Sequence, residues 1–140
     1  MAGVPLYSIP GTIDVVHHRE EKALVATWHC MTTPRFREAL EKGLNECGRV
    51  GALTWVVDLS ENPGVPSQAD LNWIDTDCVE ISRKSRIRAI INVLGSSAIA
   101  TMGSKRWTKS ASDRGLATYN CSTVADALSL AAEVADGKAG

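Results

Sequence analysis

Polar residues close the apolar segment at residues 53–59 and occupy the loop after it, where an α/β protein could carry chemistry. Asp58 has the carboxylate of a general base or a metal ligand, although an Asp at the end of a strand also commonly forms a turn. Ser67 could accept a phosphate at the start of a helix, or could cap that helix and do nothing else. If the protein is a switch, Ser60, Ser67 and the loop between them carry it.

A second candidate site is the turn made of Gly95, Ser96 and Ser97, which follows another apolar segment and precedes a predicted helix. The backbone N–H groups and hydroxyls of such a turn suit an anion such as phosphate or carboxylate. The same residues are explained by a serine that caps the helix. Since the turn lacks the spacings of a phosphate-binding loop and of a dinucleotide fold, we predict no cofactor.

The four cysteines do not form a metal-binding pattern. They contain no C-x-x-C pair that would bring two thiolates to one ion. We interpret them as small buried hydrophobes, with Cys47 and Cys78 on the apolar faces of predicted helices. The sequence therefore predicts no metal site.

The three histidines are predicted to lie apart on a hairpin. A turn at residues 20–21 places His18 opposite Ala23 and His29 opposite Thr12. His17 and His29 are then separated by about five residues, or roughly 16 Å, along the strands. We expect each histidine to face solvent or to be satisfied by one hydrogen bond.

Charge is the least random feature of the chain. Residues 83–114 hold eight basic residues and one acid, Asp113, whereas the first 82 residues hold six basic and twelve acidic residues. The candidate basic patch consists of Arg83, Lys84, Arg86, Arg88, Lys105, Arg106 and Lys109. This patch could attract an anionic ligand, a lipid headgroup, an acidic protein surface or the acidic face of a second copy in a homodimer. The simpler explanation, which we slightly favour, is a solvated helix exterior.

The first half of the chain predicts a hairpin and then a helix. Residues 13–17 and 23–28 are short and β-rich, and a polar turn joins them. Thr33 as N-cap and Pro34 at the first position predict the start of a helix that Gly48 ends. The apolar segment at residues 53–59 is then typical of a central strand that is covered on both faces.

The second half alternates helices and strands. Ser67 and Asp70 have the spacing of a capping box, which predicts a second helix. A strand at residues 87–94, a third helix, a short strand at residues 116–119 and a last helix capped by Ser122 or Thr123 follow.

This order of elements predicts an α/β fold with one domain. We expect a mixed, mostly parallel sheet of about five strands with an N-terminal antiparallel hairpin and about four helices. The domain spans residues 1–140, with its core at residues 13–135 and frayed termini. Sheets of this kind bind ligands beyond the carboxyl ends of their strands, which points to the loops at residues 60–67 and 95–98.

Composition excludes several classes of protein. With 44% hydrophobic and 22% charged residues, the chain is typical of a globular protein, not a disordered or fibrous one. A net charge of −1 and an aromatic content of 5% argue against a nucleic-acid-binding protein. No apolar run is long enough for a membrane helix, and the first residues lack the pattern of a signal peptide. We therefore expect a cytoplasmic protein without a membrane span.

The predicted elements resemble the STAS superfamily, in particular its SpoIIAA-like branch. The resemblance rests on the opening hairpin, the strand end Val56-Val57-Asp58-Leu59-Ser60, the helix containing Leu71-Asn72-Trp73, the strand at residues 88–93 and the last helix from Val124. It covers residues 13–134. These are patterns of fold, and they imply a STAS-like α/β module.

The resemblance also implies what kind of function to expect. Anti-sigma-factor antagonists of this superfamily carry a phosphorylatable serine in a D-S-S-G segment at the start of the second helix. Here Ser67 stands in Val65-Pro66-Ser67-Gln68, and the D-S-S-G segment is absent. Members of the SpoIIAA-like branch resemble binding or regulatory modules, and some of them suggest the handling of lipids or small ligands.

We therefore expect a non-catalytic regulatory or binding module. It would engage a protein partner or a small anionic or lipid ligand at the loops after the central strands. The alternative is a small-ligand pocket, or a weak hydrolase-type enzyme, built from the loops at residues 58–67 and 95–97. A hydrolase would need an activated nucleophile, and the chain has no G-x-S-x-G motif.

Overall fold

A computed structural model describes residues 3–95, 98–113 and 115–137, and these form a six-stranded sheet flanked by helices. The neighbouring pairs β1–β2 and β2–β3 are antiparallel, and β3 to β6 run parallel. The predicted α/β class and the mostly parallel sheet are thus confirmed, with one strand more than expected. The strands are β1 (Val4–Ile9), β2 (Ile13–His18), β3 (Ala23–Trp28), β4 (Thr54–Asp58), β5 (Ala89–Val93) and β6 (Ala117–Cys121).

The helices follow the parallel strands as the sequence predicts. They are α1 (Phe36–Val50), α2 (Gln68–Trp73), a π-helical turn (Ile74–Cys78), α3 (Val79–Lys84), α4 (Ala98–Asp113) and α5 (Val124–Ala135). The backbone stays right-handed helical at both junctions of the π-helical turn, so α2, the turn and α3 are one continuous helix. No described helix combines the length and the apolar character needed to cross a membrane.

The helices cover the two faces of the sheet unequally. The larger core packs α1, the α2–α3 helix and α4 against one face, with residues such as Leu24, Trp55 and Val57 from the strands. The smaller core packs Ala127 and Ala131 of α5 against the other face. All five residues of β4 are buried, which confirms the predicted central strand covered on both faces.

Strand β1 was not predicted, and it forms one edge of the sheet. Pro5 lacks a backbone N–H and is tolerated there because an edge strand has one unpaired side. The pairing of β1 with β2 shifts register between Pro5 and Tyr7. The Tyr7 hydroxyl donates a hydrogen bond to the backbone oxygen of Ala39 at 2.6 Å, so β1 is also attached to α1.

The predicted ends of the first helix were wrong by a few residues. The helix starts at Phe36 with Arg35 as N-cap, and no side chain caps it. The Thr33 hydroxyl instead accepts the backbone N–H of Arg35 at 3.3 Å, within the turn that precedes the helix. Gly48 lies inside the helix, which continues to Val50 and is terminated by Gly51 with a positive φ of 74°.

The predicted register of the hairpin is confirmed. His18 pairs with Ala23 in the antiparallel ladder of β2 and β3. Beyond the ladder, the backbone N–H of His29 donates to the oxygen of Thr12 at 2.8 Å. The first residues of β2 therefore lie at the same end of the sheet as the carboxyl ends of β3 and β4.

Candidate functional site

Asp58 at the carboxyl end of β4 is buried, and both of its carboxylate oxygens accept hydrogen bonds. Oδ1 accepts the backbone N–H of Ser60 at 3.0 Å, and Oδ2 accepts the hydroxyl of Thr27 at 3.4 Å. These bonds fix the turn that leaves β4, which is the structural use expected of a strand-end Asp. Within the described ranges, no group of three or more His, Cys, Asp or Glu side chains is arranged to hold a metal ion.

The two candidate loops meet at Ser60 and Gly95. A Cβ atom on Gly95 would lie 3.6 Å from the Cα of Ser60, and Gly95 has a φ of +59° that favours glycine. The backbone N–H of Leu59 donates to the oxygen of Val93 at 2.9 Å just before this contact. Ser96 and Ser97 lie outside the described residues.

Ser67 caps its helix, and its hydroxyl accepts the backbone N–H of Asp70 at 3.1 Å. In the predicted capping box, the Asp70 side chain would accept the backbone N–H of Ser67 in return, but an ion pair replaces this second bond. The Asp70 carboxylate instead accepts a hydrogen bond from Nε of Arg37 at 2.7 Å. Arg37 also lies over the ring of Trp73 at 5.8 Å, so these contacts attach α1 to α2.

His29 has two carboxylate partners, where the sequence predicted at most one hydrogen bond. Its Nε2 lies 2.7 Å from Oδ2 of Asp14, and its Nδ1 lies 2.9 Å from Oε1 of Glu61. Hydrogen bonds to Asp14 and Glu61 raise the pKa of His29. The Ser8 hydroxyl and His29 hydrogen-bond to Asp14 and lower the pKa of that carboxyl. These side chains join β1, β2 and the loops after β3 and β4 at the end of the sheet where β3 and β4 terminate.

The predicted basic patch is distributed over the end of α3, the loop before β5, and α4. Arg83 pairs with Glu80 at 3.2 Å, and Lys109 pairs with Asp113 at 2.8 Å. The side chain of Arg106 lies outside the described part of the chain. Four other members are exposed and form no ion pair with any described residue: Lys84, Arg86, Arg88 and Lys105.

An apolar cavity of about 50 Å³ lies between the sheet and the helices of the larger core. Four aromatic rings line it, those of Trp28, Phe36, Trp55 and Trp107. Ser82 is the one lining residue with a hydroxyl group among those described, and the rest are aliphatic or contain sulfur. A cavity of this size and lining has room for a few heavy atoms and favours apolar ones over water.

Trp28, one of the residues that line the cavity, has an unsatisfied hydrogen-bond donor. The residue is 1% exposed, and its indole N–H has no hydrogen-bond acceptor among the described residues. Its ring packs against Phe36 with a centroid separation of 5.1 Å. A buried N–H group without a partner lowers the stability of the folded state.

A buried amide fixes another of the aromatic rings that line the cavity. Asn92 on β5 is 0% exposed, and its Oδ1 accepts the indole N–H of Trp107 at 2.9 Å. Its Nδ2 donates to Thr108 Oγ1 at 2.9 Å and to Asn120 Oδ1 at 3.2 Å. These bonds attach α4 to β5 and fix the orientation of the Trp107 ring.

The π-helical turn contributes Ile74 and Cys78 to the cavity wall. The Thr76 hydroxyl donates to the backbone oxygens of Asn72 at 3.2 Å and Trp73 at 3.3 Å, and so engages carbonyls of the widened turn. Burial raises the pKa of the Cys78 thiol to about 12, so it lines the cavity as a neutral hydrophobe. Turns of this kind are often found at functional sites.

Gly43 allows α1 to pack closely against the ring of Trp55, which lines the cavity. A Cβ atom at this position would lie 2.2 Å from the ring of Trp55. Any other residue would therefore push Trp55 or the helix away. Residues Asp58, Ser60, Ser67 and Gly95 are not among those that line the cavity, which lies deeper than the loops favoured by the sequence.

The comparisons with known proteins found no relative. No protein-family model, curated protein or solved structure matches this chain. The resemblance to the STAS superfamily therefore stays a prediction. Function must be argued from the residues themselves, and the cavity is the feature that sequence patterns missed. Its aromatic residues come from β3, α1, β4 and α4, and only the three-dimensional packing brings them together.

Proposed function

We propose that this protein is a non-catalytic binding module that holds a small apolar ligand in the cavity between its sheet and the α1, α2–α3 and α4 helices. The single observation that carries the proposal is the cavity with its four aromatic walls. Aromatic and aliphatic side chains are the usual lining of a small-ligand site.

The remaining features of the chain agree with a binding role. Asp58 and Ser67 are used to hold a turn and a helix start, and the thiol of Cys78 is neutral. Placement in the STAS superfamily, SpoIIAA-like branch, is part of the proposal and is supported by the antiparallel hairpin that opens a parallel sheet. We also propose a cytoplasmic location, which the four free cysteines support.

The proposal is tested with octan-1-ol as the probe and with the four indole N–H signals in a ¹H–¹⁵N correlation spectrum. We expect the signals of Trp28, Trp55 and Trp107 to shift saturably. Trp73 does not line the cavity and serves as an internal control. Equal shifts of all four signals, or none, would overturn the proposal.

A cavity-filling variant gives an independent check. Ala111 lines the cavity and is 3% exposed, so Ala111→Leu should occupy part of the space and weaken octanol binding. Ala69 on α2 is exposed, and Ala69→Leu is the matched control that should bind octanol like the original protein. Unchanged binding by a folded Ala111→Leu variant would contradict the location of the site.

A second candidate function is the binding of an acidic protein partner by the basic patch. The observation in its favour is that Lys84, Arg86 and Arg88 are exposed and unpaired within the described part of the chain. Poly-L-glutamate is a suitable probe, and its binding should weaken as NaCl rises and in an Arg86→Glu variant. Self-association with the same dependence on salt would identify a second copy as the partner, and no binding at low salt would exclude this function.

A further inference from the structure

A second space adjoins the cavity on the side of α3. This outer groove has a volume of about 190 Å³ and shares Val79, Ser82 and Leu116 with the cavity. Its other walls are Arg83, Ile87 and Gly115. The same three residues therefore line both spaces, of which the cavity is apolar and the groove contains a charged side chain.

The two spaces differ in chemistry. The inner cavity is lined by aromatic and aliphatic side chains, whereas the outer groove contains the guanidinium of Arg83. No carboxylate is among the described residues that line the groove. The nearest acid on the same helix, Glu80, accepts one hydrogen bond from Arg83 at 3.2 Å, and this pair is exposed. An exposed pair of this kind is weak, so Arg83 has donors left for another anion.

Three more basic residues follow Arg83 in the sequence and add positive charge to this part of the surface. Lys84 follows Arg83 at the end of α3, and Arg86 and Arg88 follow in the next loop. All three are exposed and unpaired within the described residues. A site that is apolar at its inner end and positive at its outer end is complementary to a molecule that is apolar at one end and negative at the other.

We propose that the ligand is a single-chain carboxylate of the fatty-acid type, with its hydrocarbon chain in the inner cavity and its carboxylate on Arg83 in the outer groove. This inference rests on the proposed function, because it assigns a headgroup to the same site. The guanidinium can donate two parallel hydrogen bonds to a carboxylate, which an alcohol cannot accept in the same way. Each methylene group buried in the cavity adds to the affinity.

The cavity also limits the chain. About 50 Å³ admits a few carbon atoms, and the remainder of a medium-length chain passes Val79 and Leu116 into the groove. We therefore expect affinity to rise from butanoate to octanoate and to stop rising with longer chains. This plateau separates a site inside the protein from adsorption to an apolar surface, for which longer chains bind progressively better.

The decisive experiment compares octanoate with octan-1-ol at pH 7.5, using the indole signals of Trp28 and Trp107 as the readout. The proteins are the original chain, Arg83→Met, and Arg88→Met as the control, since Arg88 is exposed but does not line the groove. We expect Arg83→Met to weaken octanoate binding about tenfold, or ~1.4 kcal/mol, and to leave octanol binding unchanged. Arg88→Met removes a charge that does not line the groove, so it should weaken octanoate binding by no more than about twofold and leave octanol binding unchanged.

The outcomes distinguish the two proposals. If octanol binds, but Arg83→Met and Arg88→Met have equal effects on octanoate, the headgroup assignment is wrong and the proposed function stands. If octanoate and octanol bind equally well to the original protein, the preference for a carboxylate is wrong. If neither compound shifts the signals of Trp28 and Trp107, the proposed function fails and the inference fails with it.

Discussion

Among the single residues, Asn92 is a small side chain that connects several elements of the fold. Its amide makes three hydrogen bonds that connect β5 to α4 and β6. Asn92 and Trp107 are both buried, so a substitution that removes the amide leaves the indole N–H of Trp107 without water as a replacement. The orientation of Trp107, and with it one wall of the cavity, depends on this side chain.

We predict that Asn92→Ala lowers the free energy of unfolding by about 2–4 kcal/mol, because it leaves the buried indole N–H of Trp107 unpaired and opens a void. Urea denaturation measures the change. Asn45→Ala is the matched control on the exposed side of α1 and should be nearly neutral. A small effect of Asn92→Ala would show that the network is not a structural support.

His29 should make stability depend on pH. Asp14 and Glu61 raise its pKa above the ordinary value of 6.5, so its contribution is complete below pH 6.5 and is lost as the pH rises through the folded-state pKa. The pKa of Asp14 is lowered from 3.8, so that contribution is complete above pH 3.8 and is lost as the pH falls through the lowered pKa. The stabilising contributions of His29 and Asp14 are both complete between pH 3.8 and pH 6.5.

We therefore predict that the stability difference between the original protein and His29→Gln is largest at pH 4–6.5 and shrinks toward pH 8, as measured by urea denaturation. His17 provides a contrast. Burial, followed by the charge of Arg19, lowers its pKa, so the folded state disfavours its protonation. His17→Gln should gain stability relative to the original protein as the pH falls below 6.5, and equal pH profiles for the two variants would refute both assignments.

Among the secondary-structure elements, the π-helical turn determines which residues of the α2–α3 helix face the cavity. One extra residue in the turn rotates the following segment by about 100° relative to a regular α-helix. We predict that deletion of Thr76 keeps the helix content but turns Cys78, Val79 and Ser82 away from the cavity and weakens octanol binding by at least about tenfold.

The measurement combines circular dichroism with the indole titration. Thr76→Ala, which removes the hydroxyl without changing the length, should keep the affinity within about twofold. A Thr76 deletion variant that folds and still binds octanol like the original protein would show that the turn does not shape the site.

The elements that sequence patterns predicted well are those whose signals are local. The apolar segment at residues 53–59 located the central strand, and the spacing of Ser67 and Asp70 located the helix cap. The polar turn at residues 20–21 gave the register of the hairpin. Strand β1 was missed because Pro5 and Pro10 indicate a loop, and it is a strand only because β2 and Tyr7 hold it in place. The cavity was missed because its walls come from distant segments that only the three-dimensional packing brings together.

At the scale of the whole molecule, β1 protects an edge of the sheet. It covers β2, and its Tyr7 hydroxyl is bonded to α1. We predict that deleting residues 1–10 exposes the backbone of β2, lowers stability and causes self-association that sedimentation velocity detects. Tyr7→Phe removes only the hydrogen bond, so it should cost about 1 kcal/mol and stay unassociated. A truncated chain that remains monomeric and equally stable would contradict this role of β1.

The order of the six strands in the sheet is also their order along the chain. During synthesis, each strand that leaves the ribosome can therefore add to the free edge of the strands already made, and no strand has to enter between two that have paired. Helices α1 to α4 follow the same order on one face, and α5 closes the other face last. A nascent chain that has been translated to the end of β5 already contains every strand that lines the cavity.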